Sequence, residues 1–318
     1  MSRRMLCLLA VWLCWAPFLQ AAQPNVVFIP KGASHVFWKE MARGAQDAAL
    51  GLSINVVWRG PALENDAVSQ GKLLEHYASK GFAGMIVAPN ASAALQAPLR
   101  QVLHAGCRVV IVDSPLQPGL GLPYVGTHNA AAGALAAEYA AHLQPAPRKV
   151  LLLRFSARHD STRERENAFR DRLQQLLPAS RIEEREEVGI TVFDTRDKVL
   201  KVLAAHPDAD LVFTPNESTT EGTIQALQDA GLAGKLRHVG FDYSPRIDRA
   251  LSGGQLQAVV MQDPYQMGVR AMTVIAQLLK KKPVPAVSYT PATLVTTADL
   301  AQPAVQAQVR PYLDYLQR

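Results

Sequence analysis

NVVFIP, Asn25 to Pro30, followed by KGASHVFWK, Lys31 to Lys39, reads as a short strand, a polar loop and the aromatic opening of a helix. In a doubly wound α/β domain, that loop after the first strand is where side chains and a helix N-terminus are offered to a small ligand.

Working outward, Ser2-Arg3-Arg4 gives a positive start, Met5 to Leu19 an apolar run, and Ala21-Ala22 a small-residue cleavage site. This predicts a secretory signal peptide over residues 1–22, with the mature chain starting near Ala22 or Gln23. The run is shorter than the roughly 20 residues a bilayer core requires, and Pro17 interrupts it. The adjacent arginines also fit twin-arginine export, so Sec and Tat routes both stay open. Cys14 follows the bulky Trp12 and Leu13, which argues against a lipid anchor. Cleavage removes Cys7 and Cys14 and leaves Cys107 alone, so core burial rather than a disulfide must stabilise the exported chain.

Downstream, short β-branched runs alternate with helical patterns. VVFI (26–29), INVVW (54–58), GMIVA (84–88), RVVIVD (108–113) and YVG (124–126) are separated by three-to-four-spaced apolar residues at 36–50, 66–80 and 93–105. The rhythm then repeats: KVLLLR (149–154), 182–188, DLVFT (210–214), HVGFD (238–242) and QAVVM (257–261) alternate with helices at 163–177, 195–205 and 219–230. A last helix, 265–281, precedes a lysine- and proline-rich tail. Two α/β units of similar size, each a parallel sheet wrapped by helices, follow one another. About 295 mature residues are also more than one core usually fills.

Composition narrows the function. The formal charge of +6 falls to about +4 without Arg3 and Arg4, a mild excess with no nucleic-acid stripe. Arg154, Arg158, Arg163, Arg165 and Arg170 cluster, but Glu164, Glu166 and Asp171 interleave, which reads as a solvated, mixed-charge helix face. There is no GxSxG elbow, no HExxH and no GxxxxGK[ST], and the eight histidines lack ligand spacing. No enzyme, cofactor or metal is predicted.

The succession IPKGASHVFWKEMARGAQ, IVAPN, VVIVDS, VGTHNAAAGALAAEY, STRERENAF, VFTPNES, HVGFDYSP and VVMQDPYQMGVRA resembles the periplasmic sugar-binding proteins of ABC transporters, of the ribose-binding type. It spans essentially the whole mature chain. The resemblance implies two doubly wound parallel-sheet lobes, residues 23–127 plus 263–289 and residues 128–262 plus 290–318, joined by a three-crossing hinge around a ligand cleft. It implies a periplasmic monomer that captures a small polyhydroxylated ligand by lobe closure and delivers it to an inner-membrane ABC permease. A ligand-sensing partner of a membrane histidine kinase or chemoreceptor is the alternative. Sugar-responsive repressors share these lobes, but a leader stands where they carry a helix-turn-helix.

The candidate contacts are Lys31, His35, Phe37, Trp38, Asn90, Asp113, Asn129, Arg165, Phe193, Asn216, Asp242 and Gln262. Asp113 and Asp242 end strands at the ligand edge, where a carboxylate accepts two hydroxyls; capping the next helix is the competing role. Phe37 and Trp38 begin the first helix, one expected in the core and one against the ligand, and aromatic faces cover sugar C–H surface. Phe193, in VFDTRD, falls where ribose binders have a facing aromatic; plain core packing competes. Arg165, four residues before Phe169, offers a fixed fork of donors, with Arg163 the alternative. Asn216 follows DLVFT, and Gln262 ends QAVVM beside a crossing. Asn90 and Asn129 come from the IVAPN and VGTHN segments.

Two departures bear on the ligand. Ribose binders place an arginine after the first-lobe aspartate, whereas Asp113 precedes Ser114 and Pro115. Lys31 and His35 add a firm and a titratable positive charge in a loop that is neutral in many relatives. An anionic sugar derivative is therefore one reading, while Asp113, Asp242 and Glu217 support a neutral or mixed-charge ligand.

Overall fold

A computed structural model describes residues 23–316, so the expected leader at 1–22, with Cys7 and Cys14, lies outside the described residues. The first half runs β1 (Asn25–Ile29), α1 (Val36–Leu52), β2 (Asn55–Trp58), α2 (Ala67–Ser79), β3 (Gly84–Val87), α3 (Ser92–His104), β4 (Arg108–Val112) and β5 (Tyr124–Thr127). α4 (Asn129–His142) leads to β6 (Lys149–Leu153), α5 (Asp160–Leu176), β7 (Arg181–Arg185), α6 (Val192–Ala205) and β8 (Leu211–Phe213). The second half continues with α7 (Glu217–Asp229), β9 (Arg237–Phe241), α8 (Pro245–Ser252) and β10 (Ala258–Gln262). α9 (Pro264–Leu279), β11 (Val287–Thr290), β12 (Ala292–Thr296) and α10 (Pro303–Leu313) follow.

These strands form two sheets of the same order, β2-β1-β3-β4-β5-β11 and β7-β6-β8-β9-β10-β12. The first is wholly parallel, and in the second only β12 runs antiparallel, against β10. Near-continuous apolar strands are explained by cover on both faces. Val26 and Phe28 pack into the layer beneath α1 and α9, while Val27 and Ile29 join the layer formed with α2 and α3. Val150 and Leu152, against Leu151 and Leu153, repeat the alternation in the second lobe.

The hinge exchanges helices. α4 leaves β5 of the first sheet but packs in the second lobe with Phe169 and Leu173 of α5. α9 leaves β10 of the second sheet but packs in the first lobe with α1. The supposed tail makes the third crossing between β11 and β12, giving each sheet an edge strand. α10 then covers the second lobe through Val305, Val309 and Tyr312. α4 had no helical pattern to read because its alanine-rich faces lack a polar stripe.

Both exchanged helices sit in backbone contact with their partners. A Cβ at Gly44 would lie 2.1 Å from the Tyr265 carbonyl oxygen, and one at Gly268 would lie 2.2 Å from that of Met41. A Cβ at Gly133 of α4 would lie 2.2 Å from the Arg165 carbonyl oxygen. Cys107 is buried, and burial pushes its thiol up to about 12, so it behaves as core.

Candidate functional site

The carboxyl ends of both sheets face a single cleft, and equivalent strands place equivalent residues there. Asp113 follows β4 and Asp242 follows β9, at φ 63° and 67° respectively. A non-glycine residue in this left-handed region is uncommon and carries strain that the surrounding contacts must hold. Asp113 Oδ2 lies 2.6 Å from Lys31 Nζ. Asp242 accepts from the Glu217 N–H at 2.8 Å and from Gln262 Nε2 at 2.7 Å. Asp242 thus lines the cleft and takes the first N–H of α7, the helix before β9, whereas the next helix, α8, is capped by Ser244 and not by Asp242.

Arg165, on the first turns of α5, is 2 % exposed. It donates to Asn129 Oδ1 at 2.8 Å, to the Pro215 carbonyl at 3.0 Å and to Gln262 Oε1 at 2.5 Å, with its guanidinium 5.0 Å from the Phe241 ring centre. Gln262 Oε1 also accepts from Thr127 Oγ1 at 2.8 Å, which ties this network to the hinge strands. Of the five arginines expected on a solvated face, Arg154 is buried as well. It donates to Glu184 at 2.6 Å and Glu166 at 3.1 Å, and Glu166 accepts the Phe155 N–H at 2.8 Å, which anchors the loop before α5.

In the first lobe, His35 Nδ1 and Trp38 Nε1 meet Glu64 Oε1 at 2.9 and 2.6 Å. Burial favours the neutral ring of His35, but Glu64, backed by Glu217 and Glu221, lifts it to about 10. Burial likewise favours a neutral Glu64, yet His35, Lys31 and the Trp38 indole hold it down at about 2. Phe37 and Trp38 are both core residues and both line the cleft, their rings edge-to-face at 4.9 Å.

These groups line a cavity of about 340 Å³. Lys31, His35, Phe37, Trp38, Asp113, Arg165, Asn216, Asp242 and Gln262 all line it. Asn90 and Asn129 stand behind: Asn90 Nδ2 holds the Lys31 carbonyl at 3.2 Å, and Asn129 orients Arg165. Phe193 is a correction, being 74 % exposed in the first turn of α6. That helix buries Thr195, Val199 and Leu203, one stripe at four-residue spacing, and Phe193 falls on its opposite face. The second-lobe aromatic in the cavity is Phe155, edge-to-face with His159 at 4.7 Å.

Glu64, Phe155, His159, Ser161, Thr162 and Glu217 also line the cavity and were not among the sequence candidates. An internal repeat held part of the signal: PNAS (89–92) and PNES (215–218) follow equivalent strands β3 and β8, and the loops PKGASH (30–35) and RFSARH (154–159) both end in a histidine before the helix. His159 Nδ1 is buried without a hydrogen-bond partner among the described residues. Burial, then Lys31, pushes this ring down to about 3, so it is neutral and can donate to or accept from a hydroxyl. Glu217 accepts the Val36 and Phe37 N–H groups at 3.0 Å each, across the cleft, and burial lifts it to about 7.

These shifts set an expected pH profile for stability. His159 and His238, both at about 3 against 6.5, contribute stability above 6.5 that is lost as pH falls; Glu64, at about 2 against 4.5, loses its share below 4.5. Glu166 and Glu217, raised by burial to about 7 against 4.5, contribute below 4.5 and lose that share as pH rises through 7. The two histidines and two raised glutamates offset one another between roughly pH 4.5 and 6.5. The melting temperature is expected to vary little there and to fall at lower pH. A melting temperature that rises steadily toward pH 4 contradicts these assignments.

The family model described as a periplasmic binding protein domain matches residues 26–283. The chain is 28% identical over 273 residues to the D-allose-binding periplasmic protein of Escherichia coli, covering 82% of this chain and 85% of that protein. It is 27% identical over 269 residues to the ribose import binding protein of Salmonella typhimurium, covering 83% and 88% respectively. The solved structure of the periplasmic component of an ABC-type sugar transport system from Hahella chejuensis is 31% identical, covers 86% of this chain and 100% of that one, and superposes with a TM-score of 0.83.

Proposed function

Because the chain belongs to the periplasmic binding protein family, we propose that it captures a small, uncharged polyhydroxylated molecule, a sugar or close derivative, by lobe closure and delivers it to an ABC-type permease of the inner membrane. It acts as a solute-binding component and not as an enzyme. The observation that carries this reading is the distribution of one polar constellation over two lobes: Lys31, Asp113 and Trp38 face Arg165, Asp242 and His159 across one cavity. A ligand touching both sets favours the state in which both reach it.

The charge pattern supports a neutral ligand over an anionic one. Lys31 and His35, which an anion would need free, are each paired with a carboxylate of their own lobe, at 2.6 and 2.9 Å. An anionic ligand would have to break buried pairs, leaving carboxylates uncompensated at a cost of roughly 3–5 kcal/mol. A hydroxylated ring can instead use the remaining lone pairs, the His159 imidazole and the faces of Phe37, Trp38 and Phe155.

Thermal shift against pentoses, hexoses, polyols and the matching sugar acids tests this. A ligand at a hundred times its dissociation constant adds about 2.7 kcal/mol. A neutral sugar is expected to raise the melting temperature by several degrees, confirmed by calorimetry, with the corresponding acids inert. Stabilisation by a sugar acid alone defeats the charge argument.

A further inference from the structure

α1 and α5 hold equivalent places, each following the first strand of its half and turning its first turn to the cleft. Helix N-termini leave backbone N–H groups that need an acceptor. α2, α6, α7, α8 and α9 take it from their own N-cap side chains, Asp66, Thr191, Asn216, Ser244 and Asp263. At α1 and α5 the N-cap residues are His35 and His159, and neither side chain caps.

Each helix is capped from the facing lobe instead. The Glu217 carboxylate accepts both the Val36 and Phe37 N–H groups at 3.0 Å, and Ser114 Oγ of the first lobe accepts the Ser161 N–H at 3.0 Å. The exchange is reciprocal: lobe two caps α1 and lobe one caps α5. The same seam carries Lys31 Nζ to Ser161 Oγ at 3.1 Å and Ser92 Oγ to Asp160 Oδ2 at 2.5 Å.

Resting on the reading of this protein as a lobe-closing binder, we propose that Glu217 and Ser114 are positioning residues that latch the lobes by capping each other's first helix, so that the closed form is populated before ligand arrives. With the lobes apart, water reaches these amides. With the lobes shut, Phe37 and Ser161 lie in the cavity wall, where water cannot freely replace a missing acceptor. The caps therefore favour the closed state selectively, and they fix the turns that bear Phe37, Trp38, Ser161 and Arg165. Affinity rises with the closed fraction, since apparent dissociation constants scale inversely with the competent population.

Spin labels at Lys80→Cys and Lys235→Cys, both exposed and one on each lobe, report the interlobe distance distribution without ligand. The full-length mature protein is expected to show a closed population that saturating sugar increases. Ser114→Ala and Glu217→Ala are each expected to lower the closed-to-open ratio about fivefold to tenfold, the usual effect of losing a helix cap. Ser114→Thr, which keeps the hydroxyl, and Glu217→Gln, which keeps one acceptor, should restore it wholly and in part, an ordering that nonspecific destabilisation does not produce. An unliganded protein that is entirely open, or alanine variants as closed as wild type, overturns the proposal. If the unliganded distances move as expected while no sugar shifts them, the latch stands and the sugar reading falls.

Discussion

Arg165→Met is expected to weaken sugar binding at least a hundredfold, to the edge of detection by calorimetry. The guanidinium is the shared donor of a buried network, and its removal leaves Asn129 Oδ1 and the Pro215 carbonyl bare and deprives Gln262 Oε1 of one of its two donors. It also removes the cation that offsets Asp242, whose carboxyl burial already pushes upward. Breaking a buried charged network from one side costs roughly 3–5 kcal/mol, or about two to four decades in affinity. Arg165→Lys keeps the charge but not the fork and should fall between the two. Melting curves of the unliganded variants separate lost binding from lost fold. Retention of affinity within tenfold of wild type by Arg165→Met sinks the site assignment.

Gly268→Val should produce the largest loss of stability. Its first side-chain carbon would sit 2.2 Å from the Met41 carbonyl oxygen and 2.7 Å from the Ala45 nitrogen, and backbone cannot swing aside as a side-chain tip does. Overpacking usually costs 1–3 kcal/mol. At the upper end of that range, with about 2–4 °C per kcal/mol in a domain of this size, the melting temperature drops by about 10 °C. Because α1 carries Phe37 and Trp38, binding should weaken with it. Gly51, on the same helix with nothing within 4 Å, is the control, and Gly51→Ala should leave the melting temperature unchanged or raise it. Equal behaviour of the two variants shows that α1 and α9 are not in backbone contact.

The alternation of strand and helix was legible because each unit satisfies itself locally. Apolar four- and five-residue runs such as VVFI and VLLL can be buried only between two layers, and the intervening three-to-four spacing can be covered only by a helix. β1, β3, β4, β6 and β9 accordingly start and stop within a residue or so of the positions read from the chain. α4 and α10 were not legible: one is alanine-rich around most of its surface, and the other is a short helix with Pro303 at its start and Pro311 inside, whose stripe of Val305, Val309 and Tyr312 spans only two turns.

In the site, residues at strand ends were readable, since the doubly wound topology delivers Asp113 and Asp242 to one edge whatever else the chain does. Residues whose role depends on rotation about a helix or on the path of a loop were not. Phe193 and Phe155 are both aromatic and both follow second-lobe strands, yet one is exposed and the other fully buried in the cavity wall. The irregular segment before α6 sets the phase that turns Phe193 outward, and Phe155 lies in the loop after β6, which no periodicity describes.

Local covalent and steric chemistry thus determined the repeated α/β units, the edge at which ligand groups collect and most of the lining residues. Tertiary structure alone decided how charges are spent: Lys31 on Asp113, His35 on Glu64, and Glu217 on the amides of a helix 180 residues away in the chain. Pairing energies in a buried cleft depend on distances of a few ångströms between segments that sequence order does not relate, so these pairings exist only once the chain is folded.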